Sequence, residues 1–190
     1  MPARAPHRFT RRDYYQMASA GVIKPGARVE LLNGQVFNMS PIGPSHGGAV
    51  KRLNGIFTQQ SRGRFLVSVQ DPVVLDDYSE PEPDIMLLQP SPDFYSSNHP
   101  TPAQVHLLIE VADSTLAYDR GEKLAAYGRA AIAEVWIVNI AEEVIEVYRE
   151  PHFGGYASSE VLPQGSEAHP LAFPDVTVEV SALFRRNASC

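Results

Sequence analysis

Cysteine occurs once in the 190 residues, at position 190, so neither an intrachain disulfide nor a cysteine metal cluster can form. That usage fits a reducing compartment. No excess of positive charge exists: 16 Lys and Arg stand against 22 Asp and Glu, a formal net charge of −6. A protein that coats nucleic acid nonspecifically, or lies on an anionic membrane, needs the opposite balance. Long apolar runs are missing too. The longest nearly apolar stretches, 105–112 and 135–140, fall far short of the roughly 20 residues that span a bilayer. The N-terminal stretch is basic but has no apolar run behind it, which excludes an ordinary secretory signal. The expectation is a soluble, cytoplasmic protein with no membrane partner. Tryptophan is also scarce, with only Trp136, and lysine is limited to Lys24, Lys51 and Lys123.

What is present describes a globular chain. It is 44% hydrophobic and 20% charged, long enough for one domain with a sizeable core. Thr10 with Asp13 three residues on marks the start of a helix over 11–20. Two short apolar runs, 28–32 and 35–39, flank Asn33-Gly34, the strongest local hairpin signal. Ser45 reads as the cap of a helix carrying Ala49, Leu53, Ile56 and Phe57 on one face. Extended runs follow at 65–69, 73–75, 84–88 and 105–112, the last apolar enough to be a central strand. A helix over 118–130, with Leu124, Tyr127 and Ala131 inward, leads to strands at 134–140 and 144–149. Strands near 156–162 and 176–180 and a terminal turn at 182–184 complete the chain. The class is α/β with a mixed sheet, largely an antiparallel meander, in which one helix crosses from the apolar strand to its later neighbour.

Four polar residues interrupt this pattern where chemistry is the natural explanation. Glu110 lies inside His106-Leu-Leu-Ile-Glu-Val-Ala112, sharing a strand face with Leu108 and Ala112. A carboxylate buried there requires a cation, a metal or hydrogen-bond donors, unless that face is solvated. Asp84 opens the run Ile85-Met-Leu-Leu88, where it can reach a site shared with a neighbouring strand or simply serve a turn. Glu30 precedes the Asn33-Gly34 turn and, taken alone, reads as a solvent-facing strand residue. Lys123 follows Asp119 at the i,i+4 spacing of a helical ion pair, yet it is a rare lysine in an arginine-rich chain. His46, at the start of the Ser45 helix, can approach a phosphate or support the site, but an N-terminal helical histidine more often reads as a surface or capping residue. Arg62, Arg64, Arg120 and Arg129 read as solvated surface or phosphate contacts, and Tyr118 and Tyr127 as packing.

Several segments occur in a telling order: Val29-Glu-Leu-Leu-Asn-Gly-Gln-Val36 with Met39-Ser-Pro41, Pro83-Asp-Ile85, then Leu108-Ile-Glu-Val-Ala-Asp-Ser-Thr115. Tyr118-Asp-Arg-Gly-Glu-Lys-Leu124 and Glu134-Val-Trp-Ile-Val138 follow. Together they resemble the Uma-type restriction endonucleases, a branch of the PD-(D/E)xK nuclease superfamily. The resemblance spans about 9–184 and implies a single nuclease-like domain over 1–190 with a restriction-endonuclease-like core. It maps the superfamily's metal-binding aspartate and acidic residue onto Asp84 and Glu110. Position 112, where the superfamily's basic residue stands, is Ala, so the resemblance makes Lys123 the basic residue and Glu30 the upstream acid. The implied cofactor is Mg²⁺, with Mn²⁺ as a substitute, and the implied substrate is DNA. The implied activity is phosphodiester hydrolysis by a metal-activated water. Cutting both strands of a duplex favours a two-fold homodimer.

Two other readings compete. A catalytically silent nuclease fold would bind DNA or a protein and leave its carboxylates incidental. A glycosidase would use a pair of acids, but the lysine and the single tryptophan, within an apparent core strand, argue against a sugar groove.

Overall fold

The computed structural model describes residues 6–184. Helix α1 (Arg11–Ser19) opens with the expected reciprocal cap: the Thr10 hydroxyl accepts from the Asp13 N–H while the Asp13 carboxylate accepts from the Thr10 N–H. Strands β1 (Val29–Leu32) and β2 (Gln35–Asn38) pair antiparallel around Asn33 and Gly34, both at positive φ (52° and 78°). Glycine is required at position 34 for a second reason, since a Cβ there would lie 2.6 Å from the Cβ of Arg8.

Helix α2 (Pro44–Ser61) buries Ala49, Val50, Leu53 and Phe57. Its N-cap is Gly43 rather than the expected Ser45. Proline suits the first helical position, having no N–H to leave unpaired, so the helix begins upstream of Ser45.

Strands β3 (Leu66–Val69), β4 (Ile85–Leu88) and β5 (Val105–Ala112) follow and pair antiparallel. The expected strand at 73–75 is not part of the sheet. Its amides donate to three unrelated carbonyls, those of Pro81, Pro100 and Ser79, as an extended loop would. The crossover from β5 is a helix in three parts: α3 (Leu116–Tyr118), a π-helical turn (Asp119–Lys123) and α4 (Leu124–Arg129). Leu124 and Tyr127 point inward as expected. Ala131 does not: it is exposed, with φ of 60°, in the turn that reverses the chain.

The crossover delivers β6 (Glu134–Asn139) parallel to β5, after which β7 (Val144–His152) and β8 (Gly155–Leu162) continue antiparallel. A small ladder of β9 (Glu167–Ala168) and β10 (Val178–Glu179) and helix α5 (Val180–Phe184) close the described chain. Strand order in the six-stranded sheet is β3-β4-β5-β6-β7-β8, with β5–β6 as its one parallel pair. This is the mixed sheet and single crossover that the sequence pattern implies.

Period-two alternation in β5 sorts its side chains between two cores. Leu107, Ile109 and Val111 pack with α2, Trp136 and α5, whereas Leu108 packs with Leu124 and Tyr127 of the crossover helix. Glu110 shares the second face and therefore points under the crossover helix. Among the described residues no helix is long and apolar enough to cross a membrane. Cys190 lies outside the described residues.

Candidate active site

Strand β4 begins one residue after Asp84, and its first residue, Ile85, pairs with Ile109. Val111 thus lies beyond the end of β4, and its N–H donates instead to Asp84 Oδ2 at 2.8 Å. Gln70 Nε2 donates to Asp84 Oδ1 at 3.1 Å, and His46 Nε2 lies 3.0 Å from Oδ2. Burial disfavours the Asp84 carboxylate, but the bonds from His46, Val111 and Gln70 outweigh it and hold the pKa below the usual value. His46 is thus a partner of Asp84 and not only a surface or capping residue. Its place at the start of α2, with two glycines after it, lets the imidazole turn into the site. Its Nδ1 is buried without a hydrogen-bond partner among the described residues.

Glu110 is 3% exposed. Its Oε1 accepts the Tyr127 hydroxyl at 2.5 Å and lies 3.0 Å from Lys123 Nζ. Lys123 also lies 3.2 Å from Glu30 Oε2. Glu30 is buried, contrary to its solvent-facing reading: the Glu82 N–H donates to Oε2 and the Tyr118 hydroxyl to Oε1, each at 3.1 Å. The two tyrosines taken for packing residues are thus also hydrogen-bond donors to the two acids flanking the lysine.

Burial pushes Glu110 up to about 8; Lys123 pulls it down, while Asp119, Asp84 and Glu30 push it further up. For Lys123, burial works against the charge, but Glu110, Glu30 and Asp119 overcome it and raise the pKa, so it remains an ammonium.

The π-turn explains how the crossover helix serves the site. The Leu124 N–H reaches back to the Asp119 carbonyl, five residues earlier, which widens the helix at Lys123. Lys123 therefore reaches across to β1 and β5. Asp119 in turn accepts the Thr115 hydroxyl at 2.6 Å. Close by, Arg120, one of the arginines read as surface, makes a bidentate pair with the buried Glu146 of β7 at 2.8 and 2.5 Å. Arg64 pairs with Asp175, and Arg129 donates to Asn33 Oδ1.

Asp84, Glu110, Lys123 and Glu30 all open on one cavity of about 170 Å³, bordered also by His46 and Asp119. All four predicted site residues thus meet in one place, supplied by β1, the start of β4, β5 and the crossover helix. No set of three or more His, Cys, Asp or Glu side chains stands in metal-holding positions among the described residues. Glu30, Asp84, Glu110 and Asp119 are among the acids that border the cavity.

No curated protein is significantly similar to the chain. Its structure is similar to the crystal structure of a protein described as a "putative nuclease belonging to DUF820" from Anabaena variabilis. The two share a TM-score of 0.73 and 14% identity over 93% of this chain and 97% of that one, a likeness of fold. Residues 11–181 match the profile of a family described as "Putative restriction endonuclease". The chain belongs to that family, Uma2.

Proposed function

We propose that the chain is a divalent-metal-dependent endonuclease that hydrolyses DNA phosphodiester bonds at the Asp84–Glu110–Lys123 cleft. The observation that carries this reading is the meeting of two buried acids and one buried ammonium in a single cavity.

The donor set fits a hard cation such as Mg²⁺, which prefers carboxylates, carbonyls and retained waters. Asp84 is held ionised by neutral donors and its neighbouring imidazole. The bonds to Glu110 fall on Oε1, which leaves Oε2 as the oxygen for a metal. A strand residue sends its N–H and C=O to the same side, so the Val111 carbonyl leaves β5 beside Asp84 and can add a third oxygen. Lys123 is shared by Glu110, Glu30 and Asp119, and burial, with smaller contributions from Asp119, Asp84 and Glu30, raises the pKa of Glu110. A divalent ion held by Asp84 and Glu110 would add positive charge there, lower the pKa of a bound water and offset charge on the phosphate.

In this reading Lys123 donates hydrogen bonds to the attacking water or a phosphoryl oxygen, where negative charge accumulates. Glu30 is a positioning residue: fixed by Tyr118 and the Glu82 N–H, it holds the ammonium beside Glu110. The test is incubation of plasmid DNA with the protein and Mg²⁺ or Mn²⁺. Cleavage that EDTA and Asp84→Ala each abolish is expected. Metal binding at Asp84 and Glu110 without cleavage of any DNA would replace the enzyme by a silent binding module.

A further inference from the structure

Arg11, Arg64, Arg120 and Arg149 each pair with a carboxylate. Arg8 and Arg129 make no such pair among the described residues. Both are exposed, and both turn to one neutral residue of the β1–β2 turn. Arg8 Nε donates to the Asn33 carbonyl at 3.1 Å, and Arg129 Nη2 donates to Asn33 Oδ1 at 2.6 Å. Two guanidinium charges thus converge on an amide that cannot compensate either. The bonds to Asn33 leave both Nη atoms of Arg8, and Nε and Nη1 of Arg129, without an acceptor among the described residues. Arg8 is also held in place: the Phe9 N–H donates to the Gly34 carbonyl at 2.9 Å, and the guanidinium lies 4.1 Å from the centroid of the Tyr78 ring.

The pair stands in line with the cleft. Glu30 of β1 and Lys123 of the crossover helix meet at 3.2 Å. Asn33 follows Glu30 by three residues, about 10 Å at the rise of a strand. Arg129 follows Lys123 by six, about 9 Å at the rise of a helix. Hairpin and helix therefore run side by side, with the acids and the ammonium at one end and the two arginines at the other. We propose that Arg8 and Arg129 form a clamp for a backbone phosphate of the nucleic-acid strand whose scissile phosphate lies in the cleft. A guanidinium offers paired N–H donors that match two phosphate oxygens, and donors already held in place lose less entropy on binding. Such a contact is blind to the base and fixes the register of the strand. It gives a chain of net charge −6 local positive charge where the strand passes. The clamp takes its ligand from the nuclease reading, but its test does not use cleavage.

The test is binding of a fluorescent duplex of about 20 base pairs, followed by anisotropy in EDTA while NaCl rises from about 50 to 200 mM. Arg8→Gln with Arg129→Gln removes two phosphate contacts. It is expected to lower affinity roughly 10- to 100-fold and to flatten the slope of log affinity against log salt by about 2. Arg129→Gln alone should flatten it by about 1. Arg8→Lys with Arg129→Lys keeps both charges and should keep a slope near that of wild type. Loss in the lysine pair equal to that in the glutamine pair would mean that the arginines only brace the hairpin, and overturns the proposal. An unchanged slope in the glutamine pair overturns it as well, as does a wild type that binds no duplex. Inorganic phosphate titrated into wild type by calorimetry should bind no tighter than about millimolar; saturation at micromolar concentrations makes the site one for free phosphate and overturns the strand reading. Should the clamp respond as expected while no DNA is cut, the phosphate contact stands and the reading of the cleft falls.

Discussion

Glu110 and Glu146 stand in one row across the sheet, joined through Ile137 of β6, and both are 3% exposed. Both face the crossover helix, which sends each of them a cation: Lys123 to Glu110 and Arg120 to Glu146. Their surroundings then diverge. Glu146 receives both arms of Arg120, the Tyr148 hydroxyl at 2.7 Å and Asn139 Nδ2 at 3.3 Å. Burial alone would raise its pKa, but these bonds, from Arg120 above all, bring it below the usual carboxylate value. Glu110 receives one hydroxyl and one ammonium on a single oxygen, and burial carries it up to about 8. The same sheet position under the same helix thus yields a carboxylate neutralised within the protein and another left short of positive charge beside a cleft. The choice of cation follows: a planar guanidinium saturates a carboxylate, whereas a compact ammonium leaves one oxygen open.

The strongest way to break this contrast is to neutralise each acid in turn. Glu110→Gln is expected to lower Mg²⁺-dependent plasmid cleavage at least about 1,000-fold while the protein stays folded. Glu146→Gln should keep cleavage within about tenfold yet lose on the order of 2 kcal/mol of stability, because Arg120 is left facing a neutral amide. That loss corresponds to a melting temperature lower by roughly 6 °C. Equal losses of cleavage in the two variants would show that the acids do not divide their roles in this way.

A finer test uses the tyrosines. Tyr127→Phe removes the hydroxyl that fixes Glu110 Oε1 and is expected to weaken Mn²⁺ binding between about 10- and 100-fold by titration calorimetry. Tyr148→Phe removes the corresponding hydroxyl on Glu146 and should leave Mn²⁺ affinity unchanged. A response of similar size in both would make the effect one of general packing.

The contrast also explains what the sequence could reveal. Position along the chain exposes local rules: the Thr10–Asp13 cap, the Asn33-Gly34 hairpin, the apolar alternation of β5 and the face of Glu110 were all legible because each depends on neighbours a few residues away. The family resemblance brought Asp84, Glu30 and Lys123 together as candidates. Contacts made over long separations stayed hidden. His46 meets Asp84 across 38 residues, Tyr118 meets Glu30 across 88, and Arg120 meets Glu146 across 26. The i,i+4 spacing of Asp119 and Lys123 was misleading for a related reason, since a π-turn obeys a different period and no propensity announces it. Glu146 had the signature that singled out Glu110, a carboxylate in the apolar run Val144-Ile-Glu-Val147, and could have been found by that same rule.

The pH dependence of stability separates the two acids once more, because they should act on it with opposite sign. In folded protein without metal, Glu110 keeps a proton up to about 8, whereas in the unfolded chain it releases it near the ordinary value of 4.5. Its contribution to stability is therefore fully present below 4.5 and is lost as pH rises to about 8. Glu146, with a lowered pKa, stabilises above the ordinary value and loses that contribution only as pH falls. Between 4.5 and 8, then, Glu110 is the one of the two that titrates. Comparing urea unfolding across that window, wild type should lose up to about 1 kcal/mol per pH unit more than Glu110→Gln. Saturating Mn²⁺ should shrink the difference in slope, because the ion takes the place of the proton and binds more tightly as the carboxylate ionises. Parallel slopes for wild type and Glu110→Gln without metal would mean that Glu110 is as well satisfied as Glu146, and the contrast between the two rows of donors would carry no functional meaning.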